Sequence, residues 1–443
     1  MTSEKSPRTT KIQLLATAII VIVAVIVLVA RGLSNRESHD FMMNLGESDN
    51  GYNGYIIDAQ NSDVPTLDEQ EQIPISLRLT REDFLYDFDY LMTMMQENFP
   101  YFGLIYRRNG VDMTALMPEL RAMIEDESFN LNFVSFYDLL RTDFFYHAWP
   151  VTHLWFTVYD ELYEWGMLET ADNINGMMRY RDLLRLPPQS YRGPIISSDI
   201  ETTIIEEGRI AYISMQTLPR WPGHELTQRI DEFYSQIEDF EHLIIDLRGN
   251  RGGFTSFFDD LIASPLINYT LQATFYHFYK DGEHNRQHMR NIPIPFSADM
   301  LYRIFPDINI PQAVIDDLSV MDFFVRETLR VAPRITRQID FNGKIWMLTD
   351  GYMFSSAHMV AAFYKEVGFA TLVGETTAGM HIHNTFGSNF VQLPRTGLFV
   401  RYDFTYVLDS NGRPVDYGID PHYFNLPGMD ALETVLELIR RGN

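Results

Sequence analysis

Cysteine is absent from the 443 residues. That excludes disulfides, a thiolate nucleophile and thiolate metal sites, and leaves the compartment open. Basic residues are scarce: 35 Lys and Arg stand against 60 Asp and Glu, for a net charge of −25. Lys5, Arg8, Lys11 and Arg31 against Glu4 give the first 31 residues +3, so the remainder carries −28. So acidic a body lacks the basic face that nucleic acid requires, and an anionic membrane surface repels it. Metal-ligand patterns are thin as well. His284 and His288 have the i, i+4 spacing that can hold a metal on a helix, but no third ligand accompanies them. We read them as solvated histidines in a polar hairpin at Asp281-Gly282, and expect no metal and no cofactor.

What the chain does have is apolar content: 46 % of its residues are hydrophobic, enough for two or more lobes with substantial cores. Ile12 to Ala30 is an uncharged stretch dominated by Ile, Val, Leu and Ala. It is long enough to cross a bilayer once as a helix, and no small-x-small cleavage site follows it. An uncleaved anchor is expected, with residues 1–11 as a cytoplasmic tail and the body outside. Residues 31–77 are polar and turn-rich and read as a linker. Thr80 then caps an amphipathic run through Phe84, Phe88, Leu91 and Met95, stopped at Pro100. Two more amphipathic stretches, Met113–Ile124 and Phe133–Phe145, complete a helical lobe within 78–165. An α/β domain over 166–443 follows, interrupted by an insertion at 265–338. That insertion shows little strand alternation and one long amphipathic stretch, Pro311–Val331.

Two segments carry candidate chemistry. Leu243-Ile244-Ile245-Asp246-Leu247 is an apolar run bounded by glycines, as expected of a strand buried on both faces. It opens into Arg248-Gly249-Asn250-Arg251-Gly252-Gly253, where glycine allows another group close to bare backbone N–H. Exposed amides at a strand end can stabilise developing negative charge; a tight strand-to-helix turn without chemistry fits the same letters. Lys344–Thr349 is a second apolar strand, followed by Asp350-Gly351-Tyr352-Met353-Phe354-Ser355-Ser356-Ala357-His358 and a helical pattern to Val367. Ser355 and Ser356 stand at the strand-to-helix junction, over the positive end of the helix dipole. Nucleophilic serines are presented in such places, and a helix-capping serine is placed there too.

Asp246–Gly253, then Phe354-Ser355-Ser356-Ala357, then Val373-Gly374-Glu375-Thr376-Thr377-Ala378-Gly379 together resemble the C-terminal-processing and tricorn-type serine peptidases, the tail-specific protease family. The resemblance spans roughly residues 78 to 437. It implies a ClpP/crotonase-like α/β fold behind a helical N-terminal lobe, and peptide or protein substrates. It also implies Ser355 as nucleophile, with an oxyanion hole at Gly252, Gly253 and Ser356. His153 falls on the family's junction histidine, with Thr152 where tricorn-like members carry a hydroxyl residue. Read without the family, a histidine flanked by aromatics is more often packed than catalytic.

Departures from the family narrow the mechanism. One branch uses a lysine after the third motif, but Met380 stands there and no lysine follows Lys365. A Ser-His arrangement remains, with Asp416 in the place of the usual orienting glutamate. His381 and His383 alternate as strand residues would and are expected to contact substrate, either one being the base should His153 not be. The 55 residues between His153 and Arg209 leave no room for an intact PDZ domain beside connecting strands. The expected protein is a single-pass, extracytoplasmic serine endopeptidase. A catalytically silent relative that binds peptides or lipids is the alternative.

Overall fold

The computed structural model describes residues 79–157, 200–220, 222–289, 295–304, 306, 310–334, 336, 338–379 and 387–442. The chain divides into residues 1–49 and a second unit of 50–443. The expected anchor Ile12–Ala30 lies outside the described residues; among the described ones, no helix is long and apolar enough to cross a membrane.

The helical region is α1 (Arg81–Asn98), α2 (Phe102–Asn109), α3 (Met113–Glu125) and α4 (Phe133–Asp143). Thr80 and Asp83 close a reciprocal capping box on α1, and Asn132 with Ser135 does the same on α4. Phe84, Phe88, Leu91 and Met95 recur at helical spacing and are all buried. Helix α2 is short and follows Pro100, and no helical period in the sequence marks it.

Strands follow in order: β1 (Leu154–Phe156), β2 (Ile200–Glu206), β3 (Ile210–Met215), β4 (His242–Asp246), β5 (Leu271–Tyr279), β6 (Phe296–Ser297) and β7 (Phe323–Val331). After them come β8 (Lys344–Thr349), β9 (Thr371–Gly374), β10 (Ser388–Gln392), β11 (Phe399–Asp403), β12 (Tyr406–Leu408) and β13 (Tyr423–Phe424). Helix α5 (Gly223–Gln236) joins β3 to β4. The later helices are α6 (Glu283–His288), α7 (Gln312–Leu318), α8 (Ser356–Glu366) and α9 (Ala431–Arg440).

One sheet has the order β13-β9-β8-β4-β3-β2, parallel throughout except for the β2–β3 pair. Its central strands are covered on both faces. Leu243, Ile245 and Met347 pack beneath α5 and α8, while Ile244, Trp346 and Leu348 pack under α9. Parallel strands put all their C-terminal ends on one edge, where α/β folds place their ligands. Loops from adjacent β4, β8 and β9 emerge there, and these are the three motif-bearing loops.

The stretch expected as a strand-poor insertion holds two nine-residue strands, β5 and β7, paired antiparallel along their whole length. Pro311–Val331 is therefore not one amphipathic helix but α7 followed by β7. Cross-strand packing of Phe278 on Phe324 took precedence over local pattern. The polar hairpin expected around His284 and His288 is helix α6. The His284 ring meets the Tyr90 hydroxyl at 3.1 Å, and His288 packs edge-on against Phe404.

The boundary expected near residue 165 does not separate two cores. One apolar cluster runs from α1–α4 through β5 and β7 to β10, β11 and β12. The tie is polar as well: Asp87, buried on α1, accepts the N–H groups of Arg395 and Thr396 at 2.8 and 2.6 Å in the β10–β11 turn. Asp87→Asn offers one acceptor oxygen where two are used and should lower the free energy of unfolding by about 1–3 kcal/mol. Urea unfolding of the two proteins measures it, and equal midpoints would remove Asp87 as an anchor.

Candidate active site

The second sheet has the order β1-β11-β10, and its register assembles one half of the site. Trp155 faces Arg401, Ser388 faces Asp403, and Phe390 faces Arg401. Because side chains alternate along a strand, Trp155, Arg401, Asp403, Ser388 and Phe390 share one face, with His153 one step beyond β1. Val400, Tyr402 and Val391 point the other way, into the core shared with the helices.

On the polar face His153 and Asp403 meet. The His153 ring Nδ1 lies 2.6 Å from Asp403 Oδ2, and the same oxygen accepts the His153 N–H at 2.8 Å and the Thr152 hydroxyl at 3.0 Å. The other oxygen accepts the Ser388 hydroxyl at 2.7 Å. Burial alone would raise the Asp403 carboxyl, but the His153 ring and the Arg401 charge reverse this and hold it below the ordinary carboxylate range. Burial pushes His153 below the usual histidine value, with Asp403 pulling it up and Arg401 down. A neutral imidazole facing an ionised carboxylate carries its proton on Nδ1, which leaves Nε2 as the basic nitrogen.

The loops of the parallel sheet supply the other half. Ser355 is the one non-glycine among the described residues with positive φ, at φ 56° and ψ −133°. Such a backbone is strained for a residue with a Cβ. It is held by the Ser355 N–H donating to the Gly379 carbonyl at 3.2 Å and by Met359 N–H donating to the Ser355 carbonyl at 3.0 Å. Ser355 precedes α8, yet its side chain makes no capping hydrogen bond. The Ser356 hydroxyl instead donates to the Gly253 carbonyl at 2.6 Å and is buried. Of the two serines, Ser355 is the one whose hydroxyl is not committed to a protein partner among the described residues.

The glycine loop lies directly against this turn. A Cβ on Gly252 would stand 2.9 Å from both Ser355 Cβ and Ser356 N, so only glycine permits the approach. Gly249 N–H donates to Asp350 at 2.8 Å and locks the two loops together. The Gly252 N–H, expected in the oxyanion hole, donates to Asn250 Oδ1 at 2.8 Å and is thereby occupied. The Gly253 and Ser356 N–H groups have no protein partner among the described residues. An oxyanion would find its donors there.

The two halves join through aromatic rings. Trp155 packs edge-on against His153 at 4.9 Å and also touches Phe354 and Ala378; Trp149 packs edge-on against Phe354 at 4.9 Å. Among the described residues no hydrogen bond links Ser355 to His153, a bond that unliganded sites often make only when substrate arrives. Arg108 on α2 donates to the Ala378 and Asp416 carbonyls at 2.7 and 3.0 Å and so steadies the loop that receives the Ser355 N–H.

Asp416, expected to orient the base, does not bond to His153. Its carboxylate is buried and accepts the Val407 N–H at 3.1 Å; Asp403 occupies the orienting position instead. Asp403 is detectable in sequence only as a charge ending an apolar strand, Phe399-Val400-Arg401-Tyr402-Asp403. His358, three residues after Ser355, is fully buried on α8 with Nδ1 2.7 Å from the Thr377 hydroxyl. Burial, with a smaller contribution from Arg108, takes it down to about 3, so it is a neutral structural strut. His381 and His383 lie outside the described residues. Among the described residues no group of three acidic or histidine side chains could hold a metal.

Comparison with known proteins agrees with this layout. Residues 209–424 match the model for peptidase family S41. No curated protein matches. Among solved structures, a Parabacteroides merdae protein described as a peptidase aligns with 82 % of this chain and 97 % of its own, at 18 % identity and a TM-score of 0.51. Mature CPAF, solved with lactacystin, aligns over the same shares at 12 % identity and a TM-score of 0.50. These likenesses are of fold. With the family match across the parallel sheet and all three motif-bearing loops, the chain carries a serine peptidase domain of family S41.

Proposed function

We propose that the protein is a membrane-anchored, extracytoplasmic serine endopeptidase with Ser355 as nucleophile and His153 as general base. The observation that supports this best is a neutral, buried histidine bonded to an ionised carboxylate, linked through Trp155 and Phe354 to a strained serine with an uncommitted hydroxyl. Ser355 Oγ attacks the scissile carbonyl while His153 Nε2 takes its proton, and the imidazolium is stabilised by Asp403. The oxyanion draws on the Gly253 and Ser356 N–H groups and on the dipole of α8. The C–N bond breaks as His153 returns the proton to the leaving amine, and an ester to Ser355 remains. Water, deprotonated by the same nitrogen, then hydrolyses that ester. No step calls for a metal or an organic cofactor.

Peptide segments are the substrates this chemistry suits. His381 and His383 keep the substrate-contact role that the sequence suggests. The anchoring segment is Ile12–Ala30, with the catalytic body on the outer face, a placement supported by the basic tail before it.

A serine-reactive phosphonate separates an enzyme from a peptide- or lipid-binding relative, because labelling needs an activated hydroxyl. Wild type should label, Ser355→Ala should not, and Ser356→Ala, which keeps its backbone N–H, should label well. A reversed pattern in the two serine variants would move the nucleophile by one residue.

The two carboxylates are distinguished by turnover of a fluorogenic peptide. Asp403→Asn leaves the wrong tautomer on His153 and should lower kcat by about 10³- to 10⁴-fold; Asp416→Asn should cost far less. Activity should rise with pH in a single step centred below 6.5, because His153 is depressed from that value. His153→Gln should remove the step together with most of the activity.

External protease added to intact cells tests the topology. The body should be released by cleavage within residues 31–77. Protection until the cells are broken would place the active site in the cytoplasm.

A further inference from the structure

Asp403 has a second oxygen, and what holds it has no part in the mechanism above. Ser388 donates its hydroxyl to Asp403 Oδ1 at 2.7 Å while accepting the Arg401 Nε–H at 2.8 Å. Arg401 is 2 % exposed, a guanidinium far more deeply buried than is usual for the residue. Its position follows from register: Arg401 stands two residues from Asp403 on the same face of β11, opposite Trp155 on one side and Phe390 on the other. The guanidinium carbon lies 5.2 Å from the centre of the Trp155 ring, and that ring packs edge-on against His153. Arg401 therefore reaches the base by two routes, a hydrogen-bond relay through Ser388 and Asp403 and a stack through Trp155.

Taking that charge out of water is costly, and burial of this kind is tolerated where partners compensate. A buried Asp403 with only apolar neighbours on its second oxygen would leave a carboxylate lone pair unsatisfied. Ser388 alone could fill it, but a serine hydroxyl rotates freely. The Arg401 Nε–H fixes that rotor, because with its oxygen accepting from Arg401 the Ser388 proton points at Asp403.

Resting on the reading of His153 as the base, we infer that Arg401 and Ser388 are positioning residues that orient Asp403, and that the Arg401 charge sets the pH at which the base becomes active. Among the described residues the charged groups acting on the His153 ring are Asp403 and Arg401, both on β11. They oppose one another: the carboxylate favours the imidazolium and the guanidinium disfavours it. The pair gives an imidazole that is aligned by a carboxylate without being made too acid-stable to release its proton near neutrality.

The test is the rate of phosphonate labelling at Ser355 measured across pH, resolved into kinact and KI. Arg401→Gln removes the charge and should raise the midpoint of the acid limb by about half to one pH unit. Arg401→Lys keeps the charge and should keep the wild-type midpoint with a lower kinact. Ser388→Ala breaks the relay with the charge in place. It should lower kinact roughly ten- to hundredfold, leave KI nearly unchanged and hold the midpoint. Should Arg401→Gln fail to fold, Ser388→Ala and Arg401→Lys decide the matter together, and wild-type kinact in Ser388→Ala would overturn the inference. A reactive wild type whose variants all keep its rate and midpoint would overturn it while leaving His153 as base. A wild type inert to the probe would overturn the catalytic reading and this inference with it.

Discussion

A carboxylate removed from water survives as an anion only if donors surround it, and the site is built around that requirement at Asp403. Four hydrogen bonds from three residues meet its two oxygens: two from His153, one from Thr152 and one from Ser388. Those residues come from the segment leading into β1 and from β10, and β11 lies between these strands in a single sheet. A one-residue slip of β11 would turn Asp403 and Arg401 into the apolar core and bring Tyr402 out. The register is thus enforced by both faces at once, polar donors on one and Val400 and Tyr402 in the helical core on the other.

The helical segment has a direct part in this. Its core is continuous with the back of the three-stranded sheet, and Asp87 grips the turn between β10 and β11. Tyr402 adds a further link through the Asn285 and Asn389 side chains. The helices and the hairpin form one structural unit that holds the base, while the parallel sheet holds the nucleophile. Phe354, Trp149 and Trp155 are the apolar surface on which the two meet.

On the nucleophile side the fold stores strain. A non-glycine residue in so sparse a region of backbone space costs on the order of 1–3 kcal/mol, and it persists because α8 is buried and the Gly379 carbonyl fixes the Ser355 N–H. Gly252 contributes closeness instead of a donor: lacking a side chain it admits the serine turn, while its own N–H is retained by Asn250. Loop geometry and donor supply are therefore divided between two neighbouring glycines.

Much of this was legible in the sequence alone. The doubly buried strands at Leu243–Leu247 and Lys344–Thr349, the glycine loop, the serine at a strand-to-helix junction and the first helix of the N-terminal segment are all patterns within a dozen residues. Local period and composition report burial and turn geometry, and the three motifs carried the family resemblance. Only the tertiary structure decided the rest. Asp403 reaches His153 across a sequence separation of 250, and nothing near either residue in sequence records the pairing. Asp416 stands at the acidic position the resemblance points to, yet its carboxylate accepts the Val407 N–H. The strands β5 and β7 are not legible in the sequence because each is specified by its partner more than by its own alternation. Which amide of the glycine loop is spent depends on one side-chain rotamer, that of Asn250, and no spacing rule encodes it.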